Sequence, residues 1–232
     1  MLRASDVAVA VLTGLRPYFT AGLFASTREV CPGLLETATV LVHHNTGDEE
    51  TVQALSEHAD VIDETETTDT LWSIGGSTSR LVERVQATGC RYVLNLQDDF
   101  HALALPGAED WLTEARALVD SGVGQVLLRV AKDGRTSNEH RVTRERLRWE
   151  PLGPHRLCAE GEFTFNPTLM LVEDLHHAFP AATERDAAIA WYANRYPSEM
   201  VQYVPGVWTH LGNQRRGLSL KAKHPGLNRP DG

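Results

Sequence analysis

The sequence predicts an α/β fold with a mostly parallel central sheet flanked by helices, and two observations carry that expectation. Short apolar runs alternate with amphipathic helical stretches at the spacing of right-handed strand–helix–strand units. Thr13, Asn45 and the adjacent Asp98 and Asp99 all fall where such runs end. That edge, the carboxyl ends of the strands, is where open α/β sheets bind ligands. The 232 residues suffice for one sizeable domain with its own core.

The elements follow in order. Val7-Ala-Val-Ala-Val-Leu12 has the pattern of a buried strand, closed by Thr13-Gly14 and then Arg16-Pro17. Residues 18–30 read as a helix with Leu23, Phe24 and Thr27 on one face, stopped by Cys31-Pro32-Gly33. A second strand is expected over 37–43. Turn chemistry at Asn45-Thr46-Gly47-Asp48 then offers Thr46 or Asp48 as cap for a helix over 49–58. A third strand is expected over 60–63, followed by an acidic, Thr-rich loop over 64–69.

The next helix, 73–88, opens on Gly75-Gly76 and ends at Gly89, which suits the left-handed C′ position. A fourth strand over 91–96 runs into Gln97-Asp98-Asp99. A helix over 108–120 and a strand over 125–130 complete the first half. The second half is less regular: strands over 163–172 and 200–204, a helix over 183–195, then Trp208-Thr-His-Leu-Gly212.

Composition is that of an ordinary globular protein, with 42% hydrophobic and 23% charged residues and a formal charge of −9. The charge argues against a broad basic nucleic-acid-binding face. It is unevenly spread, however. Residues 129–148 hold seven Arg and Lys against three acids, and the tail from Asn213 holds five against one, each a local +4. Three scattered cysteines, Cys31, Cys90 and Cys158, form no metal or disulfide pattern and suggest reduced thiols. The early apolar run is too short for a leader or a membrane span, so a cytoplasmic protein is expected.

Asp98 and Asp99 carry the chemistry. Two carboxylates at the end of an apolar strand repel each other and lose solvation. They are solvated at a turn, met by a set of hydrogen-bond donors, or compensated by a divalent cation. Hard oxygen donors suit Mg²⁺ or Mn²⁺, with substrate phosphates completing the shell.

The order of these features resembles the GT-A glycosyltransferases, specifically the family 2 type that uses nucleotide-diphosphate sugars. The first strand with Arg16-Pro17-Tyr18 is similar to that family's opening strand and loop. Val42 to Thr51 resembles its second-strand motif, with His44 standing where an Asp normally contacts the base. Leu94 to Phe100 resembles the DXD signature, with Gln97 in the first acidic position, and Trp208-Thr-His-Leu-Gly212 looks like its late His motif.

The resemblance implies a single GT-A (Rossmann-like) catalytic domain over 1–212. Its nucleotide-sugar-binding half is 1–130, its acceptor and catalytic half 131–212, and 213–232 a flexible basic tail. It implies a metal held by Asp99 and His210, with Asp98 assisting. Thr13, Arg16, His44, Asn45, Gly76, Arg80 and Gln97 are implied at the nucleotide sugar, UDP-linked or other. Arg215 and Arg216 would neutralise the diphosphate, in a tail able to close as a lid. Glu184, with Asp186 as rival, would be the general base of an inverting transfer. Both acids equally suit a helix first turn.

Asn166-Pro167 resembles the acceptor-side turn, and Trp191 and Tyr192 read as core. The acceptor is left open among a saccharide, a lipid-linked or protein group and, given the basic segment 129–148, a hydroxylated base in DNA. A nucleotidyltransferase and a non-catalytic nucleotide-sugar-binding relative are the competing classes. The former would want a Gly-rich, basic loop after the first strand, and Thr13-Gly14-Leu15-Arg16 is a poor version of one.

Overall fold

The computed structural model describes residues 6–45, 47–68, 74–130, 149–159, 166–175 and 199–211. At its centre lies β1 (Val7–Thr13), paired in parallel with β2 (Thr39–His44) on one side and β4 (Tyr92–Gln97) on the other. The alternating sequence of β1 explains its two faces. Val7, Val9 and Val11 enter one core with Leu23 and Phe24 of α1 (Pro17–Val30). Ala8 and Ala10 enter a second core with Leu81, Val82 and Val85 of α4 (Ile74–Ala87). Both faces are covered, so the strand is apolar throughout, as a central parallel strand requires.

Around this centre stand α2 (Leu34–Thr37), α3 (Glu49–Ser56), β3 (Glu64–Thr67), β5 (Phe100–Ala102), α5 (Trp111–Asp120) and β6 (Gln125–Leu127). The later elements are β7 (Glu150–Leu152), β8 (His155–Cys158), β9 (Thr168–Leu171), α6 (Val172–Leu175), β10 (Met200–Gln202) and β11 (Trp208–His210). The described strands form one sheet in the order β3-β2-β1-β4-β9-β6-β10-β8-β7 and a small antiparallel pair, β11-β5. Only β9 and β8 run against the common direction of the large sheet. Chain order turns round between β1 and β4, and the carboxyl edge at such a switch is where open α/β sheets bind ligands.

Most expected elements of the first half stand within a few residues of their predicted bounds, and Gly89 adopts φ 72°. Two differ. The second strand starts at Thr39 because 34–37 coils into α2. The third strand is not 60–63 but Glu64–Thr67, within the stretch expected to be a loop. It is an exposed edge strand, and its acids are matched across space. Arg84 Nε donates to Glu64 Oε1 at 2.9 Å and Arg80 Nη2 to Glu66 Oε1 at 2.9 Å. An acidic edge resists pairing with another chain, which is why it lacks apolar alternation. The hairpin β7–β8 and the pair β5–β11 were not anticipated. The helix expected over 183–195, with Trp191 and Tyr192, and the tail lie outside the described residues.

The β11 segment is fixed by close backbone contact. Val207 N–H and Trp208 N–H donate to Leu128 O at 2.7 and 3.0 Å, and Val130 N–H donates to Trp208 O at 2.7 Å. Gly206, at φ 87°, makes this approach possible: a Cβ there would stand 2.7 Å from Val130 Cα. Trp208 is buried edge-on to Trp111, with centroids 5.1 Å apart, and its Nε1 donates to Thr27 Oγ1 at 3.3 Å.

Gly206→Ala meets both backbone overlap and an unfavourable φ, so we expect a loss of at least about 1–3 kcal/mol in urea unfolding. A second expectation concerns pH. Burial holds His43, His44, His58 and His155 below the ordinary 6.5, with Glu66, Asp48 and Glu114 opposing it at three of them. At these four groups the unfolded chain takes up protons first, and they outnumber the one carboxyl that acts oppositely, Asp98, which burial raises to about 6, so stability falls as pH is lowered from 7 to 6. A thermal midpoint that rises over that interval would contradict this.

Candidate functional site

The site is assembled where β1, β2 and β4 end. Thr13 closes β1, Asn45 follows β2, and Asp98 and Asp99 form the turn between β4 and β5. Asp98 N–H donates to Leu12 O at 3.1 Å and Asn45 N–H to Thr13 O at 3.1 Å, so the parallel ladders continue to the edge.

Asp98 is wholly buried and Asp99 is 7% exposed. Arg16, in the loop between β1 and α1, compensates both. Its Nε donates to Asp98 Oδ2 at 2.9 Å, its Nη2 makes a very close contact with Asp98 Oδ1, and its Nη1 donates to Asp99 Oδ2 at 2.9 Å. Gly14 N–H adds a bond to Asp98 Oδ2 at 3.1 Å. The solvated turn is thus not what forms: the pair is desolvated and held by a guanidinium. Burial pushes the Asp98 carboxyl up to about 6, with Asp99 pushing the same way and Arg16 resisting. Arg16 itself is raised, since the two carboxylates outweigh the burial that opposes them.

His210 reaches the same place from the far end of the chain. β11 pairs with β5 in a register that sets His210 opposite Phe100, their rings 5.0 Å apart. His210 Nε2 lies 3.1 Å from Asp99 Oδ2, and Leu211 N–H donates to Asp99 O at 2.8 Å. Asp99 therefore meets Arg16 and His210 at one carboxylate oxygen.

A second group ties β1 and β2 to the helices. His44 is wholly buried. Its Nδ1 is 3.0 Å from Thr13 Oγ1, and its Nε2 is 3.0 Å from Asp48 Oδ2, close but out of hydrogen-bond alignment. Asp48 caps α3, its Oδ1 accepting from Thr51 N–H at 2.8 Å. Thr51 Oγ1 in turn donates to Gly14 O at 3.2 Å. Burial holds His44 neutral, and its ring faces protein neighbours. Asn45 Oδ1 accepts from Ser77 Oγ at 3.0 Å, beside the part-buried Gly76 in the first turn of α4. Arg80, on the exposed side of α4, is held by Glu66 and by Glu83 at 3.1 Å. Gln97 is the last residue of β4, part-buried and level with Leu12.

The structure thus brings together Thr13, Arg16, His44, Asn45, Asp98, Asp99 and His210, while Arg80 sits on the β3 flank. Thr46, Glu184, Asp186, Arg215, Arg216 and residues 131–148 lie outside the described residues. One residue that the sequence places only in the basic segment 129–148 stands beside the acidic pair. Arg129, just past β6, stands over the Phe100 ring at 5.8 Å and donates to Asn166 Oδ1 at 3.1 Å. Burial lowers its pKa while the nearby charge of Asp99 supports it. A lone arginine ending the apolar run Val126-Leu127-Leu128 was the available signal. Among the described residues no helix is long and apolar enough to cross a membrane.

No family model matches this sequence, and no curated protein matches it either. Solved structures do. TarS residues 1–349 from S. aureus superpose with a TM-score of 0.59 at 11% identity, covering 88% of this chain and 60% of that one. The same TarS fragment in complex with UDP-GlcNAc gives 0.57 at 12% identity, over 88% and 57%. GalNAc-T7 with UDP, GalNAc and Mn²⁺ gives 0.60 at 9% identity, over 88% and 43%. The chain therefore spans 60% or less of the length of these structures. The likeness and the sheet order define the fold as GT-A: Rossmann-like, with a mostly parallel central sheet flanked by helices.

Removing one partner of a buried ion cluster strands the others. Asp98→Ala should cost about 3–5 kcal/mol in urea unfolding. Arg28→Ala, which loses an exposed contact to Asp60 at 3.2 Å, should cost less than about 1 kcal/mol. Equal losses for the two would refute the buried clasp.

Proposed function

We propose that the protein is a metal-dependent, inverting glycosyltransferase that moves a sugar from a nucleotide-diphosphate donor, UDP-linked or other, to an acceptor hydroxyl. The observation that carries this reading is the Asp98–Asp99 pair at the strand-order switch of a GT-A sheet, with His210 brought to 3.1 Å from Asp99 Oδ2. The solved relatives hold UDP, UDP-GlcNAc and, in GalNAc-T7, Mn²⁺.

The residues present fit a divalent ion. Asp99 Oδ2 and His210 Nε2 stand 3.1 Å apart at the strand ends, and a carboxylate with an imidazole nitrogen is a donor set that would suit Mn²⁺ or Mg²⁺. Among the described residues no three His, Cys, Asp or Glu side chains gather around one point. The protein's share of the shell would be Asp99 and His210, with phosphate oxygens and water completing it. When bound, the ion supplies Lewis-acid stabilisation of the departing diphosphate.

The chain's own residues do the rest. Asp98, gripped by Arg16 and Gly14, fixes the turn that aims Asp99. Thr13, Asn45 and the first turn of α4 around Gly76 border the donor crevice, with Gln97 at the ribose and His44 shaping the floor below the base. Arg80 borders the same crevice from the β3 side. Arg215 and Arg216 balance charge on the leaving nucleoside diphosphate. Glu184, or Asp186 in its place, takes the acceptor proton on the face opposite the leaving group. The acceptor is a saccharide, a lipid-linked or protein group, or a hydroxylated DNA base.

Release of nucleoside diphosphate from a panel of donor sugars, read by mass spectrometry with a panel of acceptors, tests the proposal. We expect Mn²⁺-dependent turnover, abolished by chelation and lowered at least about 100-fold by Asp99→Asn. Glu184→Gln should keep UDP binding and lose transfer. Absence of release with any common donor would overturn the assignment, and full activity of Asp99→Asn would overturn the metal's place in it.

A further inference from the structure

We propose that Arg16 is a built-in counter-ion of the Asp98–Asp99 pair, one that a divalent cation must displace and that a nucleoside diphosphate draws away. The second half of this statement rests on the nucleotide-sugar reading above; the first does not.

Arg16 uses three of its nitrogens on the two carboxylates, and one of those bonds falls on Asp99 Oδ2, the oxygen that also faces His210. A cation bridging Asp99 and His210 would need that same oxygen, with a guanidinium nitrogen 2.9 Å from it. The two occupants are alike in charge and compete for one place.

Local charge points the same way. The two carboxylates face two guanidiniums, Arg16 in contact and Arg129 nearby over Phe100. These two carboxylates and two guanidiniums balance in formal charge, so a bare dication would bring uncompensated positive charge into a largely buried site. A diphosphate arriving with the dication restores the balance, because its phosphoryl groups are anionic. It also offers Arg16 a partner suited to the guanidinium fork, which matches phosphate as well as it matches carboxylate.

Arg16 has the freedom to change partners. Its side chain keeps 24% of its surface exposed, against 0% for Asp98 and 10% for Asp99. It projects from the loop ahead of Pro17 and α1, with no helical hydrogen bond to lose on moving its side chain. Cation binding is therefore conditional on donor, which keeps the metal site closed in the absence of substrate.

The experiment is titration of the full chain with MnCl₂, following the free Mn²⁺ signal by electron paramagnetic resonance, with and without UDP. Wild type should bind Mn²⁺ at least tenfold more tightly with UDP than without it. Arg16→Gln should bind Mn²⁺ without UDP at least tenfold more tightly than wild type does, and Arg16→Lys should fall between the two. Circular dichroism checks that each variant is folded. If Arg16→Gln is not, the double variant Arg16→Gln/Asp98→Asn relieves the stranded charge while keeping Asp99 and His210, and its Mn²⁺ affinity decides the matter. No gain in Mn²⁺ affinity on removing Arg16 overturns the proposal, as does a wild type that binds UDP yet binds Mn²⁺ equally well with and without it. If the wild-type chain binds none of UDP, GDP, ADP, CDP and TDP by calorimetry while the Arg16 variant gains Mn²⁺ affinity, the counter-ion role stands and the nucleotide-sugar reading falls.

Discussion

Two adjacent carboxylates buried at the end of a central strand cannot stand without compensation, and much of the carboxyl edge is organised around supplying it. Asp98 is enclosed by the loop that leaves β1, through Gly14 and Arg16. That loop is braced in turn by Thr51 of α3, whose helix is capped by Asp48, which touches His44 at the end of β2. A single electrostatic need thus couples three parallel strands and a helix start into one edge. Since a buried carboxylate stripped of its partners costs several kcal/mol, the loop geometry is held far more firmly than its lack of regular structure suggests.

The same requirement explains how a residue more than a hundred positions away joins the site. Asp99 lies in the turn that feeds β5, and β5 pairs with β11. Leu211 bonds to the Asp99 carbonyl while His210 meets its carboxylate. β11 cannot drift, because Trp208 is locked against Trp111 and Thr27 and the backbone around Gly206 presses on Val130. Rigid packing behind the site, not the site residues alone, sets the approach of imidazole to carboxylate.

The first half of the fold was legible because burial writes itself into residue order. The Val–Ala alternation of β1 reports two covered faces, one of them sized for the close approach of α4, while Asp48 marks the start of α3 and Gly89 the end of α4. The misses have physical causes. β3 is an acidic edge strand whose charges are answered by Arg80 and Arg84 on a helix, so no apolar pattern marks it. β5, β7 and β11 are three residues each, too short for any periodicity to register, and their pairing is decided by partners distant in the chain.

At the site, sequence by itself determined which residue types stand at the strand ends: Thr13, Asn45, the acidic pair, and a late histidine in an aromatic context. It could not determine what compensates the acids, because solvent, metal and guanidinium are all compatible with the same local string. Only the tertiary structure decided that Arg16, 82 residues before Asp98, takes that place, and that Arg129 stands close by. Local sequence encodes which groups a strand presents at its end; the charge that neutralises them is a through-space quantity, fixed when the β1 and β4 ends are laid side by side.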